Sequence, residues 1–124
     1  MKLFLLVCVG GALGSGIRYG AELALKSVVP ACAAAFPWAT LLVNLAGCFA
    51  IGLGYGWLAR DSQPWAEELR ALLLVGVCGG LTTFSSFANQ TLALDSGKGL
   101  LNVAASVLGC LAMAWAGLAL SGGR

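Results

Sequence analysis

The chain has 124 residues, of which 60% are apolar and 10% charged, a balance too poor in polar surface for a soluble domain of this length. With seven basic residues, five acidic ones and no histidine, it has no imidazole metal site and no Ser-His or Cys-His catalytic pair. Its apolar residues gather into four runs, Leu3–Leu25, Trp38–Leu58, Leu69–Leu94 and Leu100–Leu120. Each is close to the ~20 residues that cross a bilayer as a helix. The joints Lys26–Pro37, Ala59–Glu68 and Asp95–Gly99 hold most charges and all three prolines, and they leave no room for a domain outside the membrane.

The first run begins behind Lys2 and contains Gly14-Ser15-Gly16, a pattern shared with secretory leaders. The apolar stretch continues past Arg18 and Tyr19 and three more runs follow, so it is read as a retained first helix. Gly10 with Gly14, and Gly16 with Gly20, are small-xxx-small pairs that let helix backbones approach closely. Arg18 has two readings. Its guanidinium can snorkel to the interface, or it can raise the anion concentration at a vestibule mouth.

In the second run Asn44 follows Trp38 by six residues, which places its amide ~9 Å into the span. It either makes an interhelical hydrogen bond or donates its NH2 to a partly dehydrated anion. Thr40, one turn earlier, extends the same polar face. Gly52 and Gly56 form a further small-residue pair.

The third run holds Gly76-Val77-Cys78-Gly79-Gly80-Leu81-Thr82-Thr83-Phe84-Ser85-Ser86-Phe87, two adjacent glycines and four hydroxyls in the middle of a span. Backbone released from helical bonding at that depth must be buried in protein, line a cavity or bind an ion. Carbonyls freed there suit a dehydrated alkali cation, because hard cations prefer oxygen ligands. Phe84 and Phe87, three apart, share a helical face. Taken alone the spacing suits core packing, but beside the hydroxyls the positive ring edges also suit an anion.

The fourth run carries Gly109 and Gly117 as packing notches. Cys8, Cys48, Cys78 and Cys110 lie within the apolar runs, no CxxC occurs and the count of five is odd, so they read as small packing residues. Lys2, Arg60, Arg70 and Arg124, partly matched by Asp61, Glu67 and Glu68, belong to the side of the termini. Lys26 and Lys98, with Arg18 near, belong to the other. So weak a bias permits insertion in both orientations. Four helices around a filled core leave little room for a polar pathway within one chain, so an oligomer is expected.

Together these features resemble the Fluc/CrcB fluoride channels. Gly11 to Tyr19 is similar to that family's glycine-rich first helix ending in Arg and an aromatic, and Trp38 to Gly47 to its second-helix signature. Gly79-Gly80-Leu81-Thr82-Thr83-Phe84-Ser85-Ser86-Phe87 resembles its most specific motif. The resemblance implies an all-α integral membrane protein of one domain, residues 1–124, with four transmembrane helices, the third broken at mid-membrane. It implies an antiparallel dual-topology homodimer in the bacterial plasma membrane, with two fluoride pathways and a structural sodium ion. Phe84 and Phe87 would form an aromatic box, with Asn44, Thr40 and Ser106 along the pathway and Arg18 at its vestibule. Gly79 and Thr82 would offer backbone carbonyls to sodium. Membrane lipid is the surrounding partner, and no nucleic-acid partner is expected. Gln90 and Asn102 depart from the family pattern, where an acid and a hydroxyl-bearing aromatic are expected. The implied role is passive fluoride efflux that limits toxicity. Two competing readings are a small dual-topology exporter of cationic drugs, which needs an acid within the membrane where only Glu22 comes near, and a noncatalytic assembly subunit.

Overall fold

The computed structural model describes residues 1–58 and 63–122. Arg60, Asp61 and Arg124, three of the charges weighed above, lie outside the described residues. Among the described residues every regular element is a helix. Helix α1 spans Lys2–Val28, short α2 spans Pro30–Ala35 and α3 spans Trp38–Leu58. After α4 (Pro64–Leu69) comes a π-wound stretch over Arg70–Cys78, a single turn α5 (Gly79–Leu81), α6 (Phe84–Ala93) and finally α7 (Ser96–Leu120).

Four stretches are long and apolar enough to cross a membrane, Lys2–Val28, Trp38–Leu58, Trp65–Ala93 and Ser96–Leu120. The third begins at Trp65 rather than Leu69 because Pro64 opens a helix there, its missing N–H being one that a first turn leaves unpaired anyway. Pro30 opens α2 in the same way. At the start of α7 the Asp95 carboxylate accepts a hydrogen bond from the Lys98 backbone N–H. That bond holds the Asp95 carboxyl below its usual range. The π-wound stretch was not legible in the sequence, since its residues have an ordinary helical composition.

The bundle is built from two glycine-zipped pairs. Helix α1 packs on the π-wound stretch and α5, and α3 packs on α7. A Cβ at Gly10 would meet the Leu72 carbonyl and the Gly76 backbone, one at Gly14 the Val77 carbonyl, and one at Gly80 the Gly11 backbone. In the other pair, Gly52 faces the Ala114 carbonyl and Gly117 faces the Phe49 carbonyl. Backbone thus lies against backbone at both seams, the approach that small residues permit. Gly16 and Gly20 differ, since a side chain at either would meet nothing within 4 Å.

Small residues fill the seams and large ones face outward. Leu13, Ile17, Leu108 and Trp115 are all exposed, while Leu58, Ala66 and Leu74 form a buried cluster at one end with Leu69 against it. A water-soluble fold would invert this arrangement. At that same end the Arg70 guanidinium donates to the Leu58 carbonyl, satisfying one acceptor left free by the end of α3. Lys2 pairs with Glu68 there at 2.5 Å.

Candidate functional site

The chain leaves the helical path at Thr82 and Thr83, whose backbones are extended at φ −79°, ψ 149° and φ −150°, ψ 123°. Thr82 ends α5, with both its N–H and its hydroxyl donating to the Cys78 carbonyl, at 3.0 and 2.9 Å. Thr83 begins α6 by accepting at its hydroxyl from the Ser86 N–H. Across from them, the Asn44 side chain brackets the gap. Its oxygen accepts the Thr83 N–H at 2.8 Å, and its NH2 donates to the Thr83 carbonyl at 3.1 Å. Gly47, one turn along α3, makes room for the Thr82 side chain.

These substitutions of partner change what the carbonyls nearby can do. In a continuous helix the Thr83 N–H would go to the Gly79 carbonyl and the Ser86 N–H to that of Thr82. Here those donors go to Asn44 and to the Thr83 hydroxyl, so both carbonyls lose their helical amide. The Gly80 carbonyl is treated differently, accepting from Arg18 Nε at 3.3 Å and from the Ser15 hydroxyl at 3.5 Å. Arg18 thus ties α1 to the interruption, a contact that neither snorkelling nor a vestibule role had anticipated.

Beside the interruption lies a cavity of ≈ 360 Å³ lined by Asn44, Thr82, Phe84, Phe87, Ser106 and Cys110, among others. The two rings lie 5.4 Å apart between centroids, tilted by 51°. Phe87 is 8% exposed, but Phe84 is 78% exposed, so one wall of the cavity opens to the outside of the chain. Its lining is mostly apolar, with neutral amide and hydroxyl groups and no charged side chain.

Thr40 faces a separate cavity of ≈ 260 Å³ shared with Gln90, Glu22, Lys26, Phe36 and Trp38. Glu22 and Lys26 are paired there at 2.7 Å. The Gln90 side-chain oxygen is buried without a hydrogen-bond partner, the single such side-chain atom among the described residues. From Phe87 and Ser106 of the first cavity a chain of neutral groups extends that sequence reading did not connect. The Asn102 NH2 donates to the Thr91 hydroxyl at 2.7 Å, and the Thr91 hydroxyl donates to the Phe87 carbonyl at 2.7 Å. Ser106 donates to the Asn102 oxygen at 3.5 Å. Asn102, 1% exposed, is the most enclosed large side chain described. The spacing of Asn102 and Ser106, one helical turn apart in an apolar run, was the available signal.

Among the described residues, no group of three or more His, Cys, Asp or Glu side chains could hold a metal. The carbonyls of Gly79 and Thr82 are a different kind of donor, neutral oxygens that fit a hard monovalent cation. Gly79 is exposed, and a side chain there would meet nothing within 4 Å.

Comparison with known proteins gives one consistent result. The family described as CrcB-like protein, Camphor Resistance (CrcB), matches residues 5–118. A protein of Paramagnetospirillum magneticum named "Fluoride-specific ion channel FluC" is 43% identical, over 94% of this chain and 93% of its own. Proteins of the same name from Anaeromyxobacter dehalogenans and Flavobacterium psychrophilum are 46% and 36% identical. The first covers 94% of this chain and 92% of its own, the second 95% of each. With four apolar helices and matches along nearly its whole length, the chain is a multi-pass membrane protein of the CrcB-like family, whose named relatives are ion channels and not enzymes.

Proposed function

We propose that this chain forms a fluoride-selective channel for passive efflux across the plasma membrane, as an antiparallel dual-topology homodimer with two pathways. The reading rests on one observation. A mostly apolar cavity, free of charged side chains, is flanked by the Phe84 and Phe87 rings and supplied with neutral polar groups from Asn44 and Ser106. Ring edges carry partial positive charge, and the Ser106 hydroxyl, held by Asn102 only at 3.5 Å, could turn its O–H to an ion, so the inventory suits a small anion that accepts hydrogen bonds. Neither is a strong ligand, which lets a bound ion leave. Thr40 and the Gln90 cavity would form the approach, with Arg18 near the vestibule.

The exposed wall is the reason for a second copy. Phe84 and Gly79 face outward in the single chain, and a pathway open to lipid would not conduct. A partner running in the opposite direction would cover them. The weak charge asymmetry, with Lys2, Lys26 and Lys98 each paired to an acid, is compatible with both orientations.

A structural sodium ion would be held at this seam by the Gly79 and Thr82 carbonyls of both subunits, which are among the carbonyls deprived of helical donors and, unlike that of Gly80, are not claimed by Arg18 and Ser15. The bound cation would neutralise carbonyl dipoles facing one another in a medium of low dielectric. Asn44, Ser15 and Arg18 hold the interrupted backbone in place around it.

The decisive experiment is flux from liposomes containing the purified protein. Fluoride efflux without coupled proton or sodium movement is the expected result. Export of a cationic dye in place of fluoride would replace this reading with the drug-exporter one, although Glu22, the acid nearest a span interior, is already paired with Lys26. Transport of neither would favour an assembly subunit.

A further inference from the structure

Cys48 of α3 and Cys110 of α7 both line the cavity that holds Phe84, Phe87 and Ser106. They face that cavity from the two helices that are zipped backbone to backbone at Gly52 and Gly117. Neither is in a disulfide and both are partly exposed, whereas Cys78 is buried. The channel reading leaves this pair without a task.

We propose that Cys48 and Cys110 form a two-thiol site for a soft, thiophilic divalent cation of the kind that accepts two-coordinate sulfur ligation. Three features select this class. Thiolate is a soft ligand and prefers soft metals over the hard cations that carbonyls bind. Two sulfurs without a third or fourth side-chain ligand do not complete the tetrahedral shell that zinc requires. The third feature is charge. The cavity lining includes no charged side chain, so the complex most compatible with it is neutral. A divalent ion that displaces one proton from each thiol gives that result, with two metal–sulfur bonds formed, two S–H bonds broken, two protons released and no change of oxidation state.

The helices themselves supply the chelate. The α3–α7 seam is a backbone-to-backbone contact at Gly52 and Gly117, one helical stretch away from the thiols, so the sulfurs are carried on a rigid pair of elements. Two ligands held this way raise the effective concentration of the second sulfur and should tighten binding by about 10²-fold or more over a single thiol. A metal bridging them would stand in the cavity beside Ser106 and the two rings. Obstruction of fluoride flux therefore rests on the pathway reading, whereas binding by the pair does not.

Mercuric ion is the probe. The unmodified, purified chain is loaded at one equivalent, washed with excess monothiol, digested and mapped by mass spectrometry. Mercury bridging the Cys48 and Cys110 peptides is expected, with two protons released per ion. In parallel, Cys48→Ser and Cys110→Ser should each lose retention about 100-fold. Mercury found on Cys8 or Cys32 alone, or held equally well by both serine variants, overturns the site. The mapping uses the unmodified chain, so poor folding of a variant does not decide the outcome. Fluoride efflux of each protein is then compared with its own metal-free rate. Inhibition of at least about tenfold in the unmodified chain, reversed by a dithiol and absent from the serine variants, supports the site within the pathway. A bridged pair with undiminished flux upholds the metal site and counts against the cavity as the fluoride route.

Discussion

Phe84 and Phe87 have the same side chain in very different surroundings, and their substitution separates packing from conduction. Phe87 is buried, so Phe87→Ile should destabilise the fold by about 1 kcal/mol through imperfect repacking. Phe84 is exposed in the single chain, and Phe84→Ile should leave the stability of the four-helix unit unchanged. If both ring edges meet the ion, each variant should lose fluoride flux by at least about fivefold, the rate equivalent of ~1 kcal/mol of ring interaction. Normal flux per folded protein in both variants would remove the rings from the pathway. Asn44 presents the opposite case, because its oxygen and NH2 are both engaged with Thr83. Asn44→Ala should therefore lower stability as well as flux, with about 1–3 kcal/mol lost for the orphaned Thr83 amide. Thermal unfolding beside liposome flux checks both. A stable but non-conducting alanine variant would show that the amide serves the ion rather than the backbone.

The helices are held by seams whose tolerance can be read glycine by glycine. Gly14 lies against the Val77 carbonyl and the Leu81 amide nitrogen, so Gly14→Ala forces α1 away from the third span. A loss of about 1–3 kcal/mol is expected, measured as a lower midpoint of unfolding in detergent. Gly16 is two residues further on and faces open space. Gly16→Ala should leave that midpoint unchanged, and any effect it has on dimer stability would place this face against the partner. The sequence reading treated the Gly10–Gly14 and Gly16–Gly20 pairs alike, because spacing alone does not say which side of a helix meets its neighbour. It took the interior of the third run as the place where helical bonding fails, from two glycines and four hydroxyls. The residues that leave the helical path are Thr82 and Thr83, whereas Gly79 and Gly80 remain helical. The glycines have a packing task instead, with Gly80 against Gly11, and threonines lend themselves to extended backbone and capping.

For the whole molecule, tags placed on the C-terminus should be labelled from both faces of the membrane if one chain inserts both ways. Labelling from one face only, with full fluoride transport, would dismiss the antiparallel dimer. Stripping sodium should reduce flux and dimer stability together, whereas full activity after demonstrated removal would leave the Gly79 and Thr82 carbonyls without that ion. Hydropathy was sufficient for the four spans and for membrane residence, because a bilayer accepts only segments that satisfy their own backbone groups and present apolar surface over ~20 residues. The motif from Gly79 to Phe87 stood out by its four hydroxyls within an apolar run, and the non-helical residues Thr82 and Thr83 lie inside it. Partner choice was not. That Asn44 bonds to Thr83, that Arg18 reaches the Gly80 carbonyl, that Thr40 faces a different cavity from Asn44, and that Cys48 and Cys110 share a cavity all depend on helix rotation and crossing. Those are decided by glycine seams between segments distant in sequence, where a change of a single side chain alters which backbones can touch.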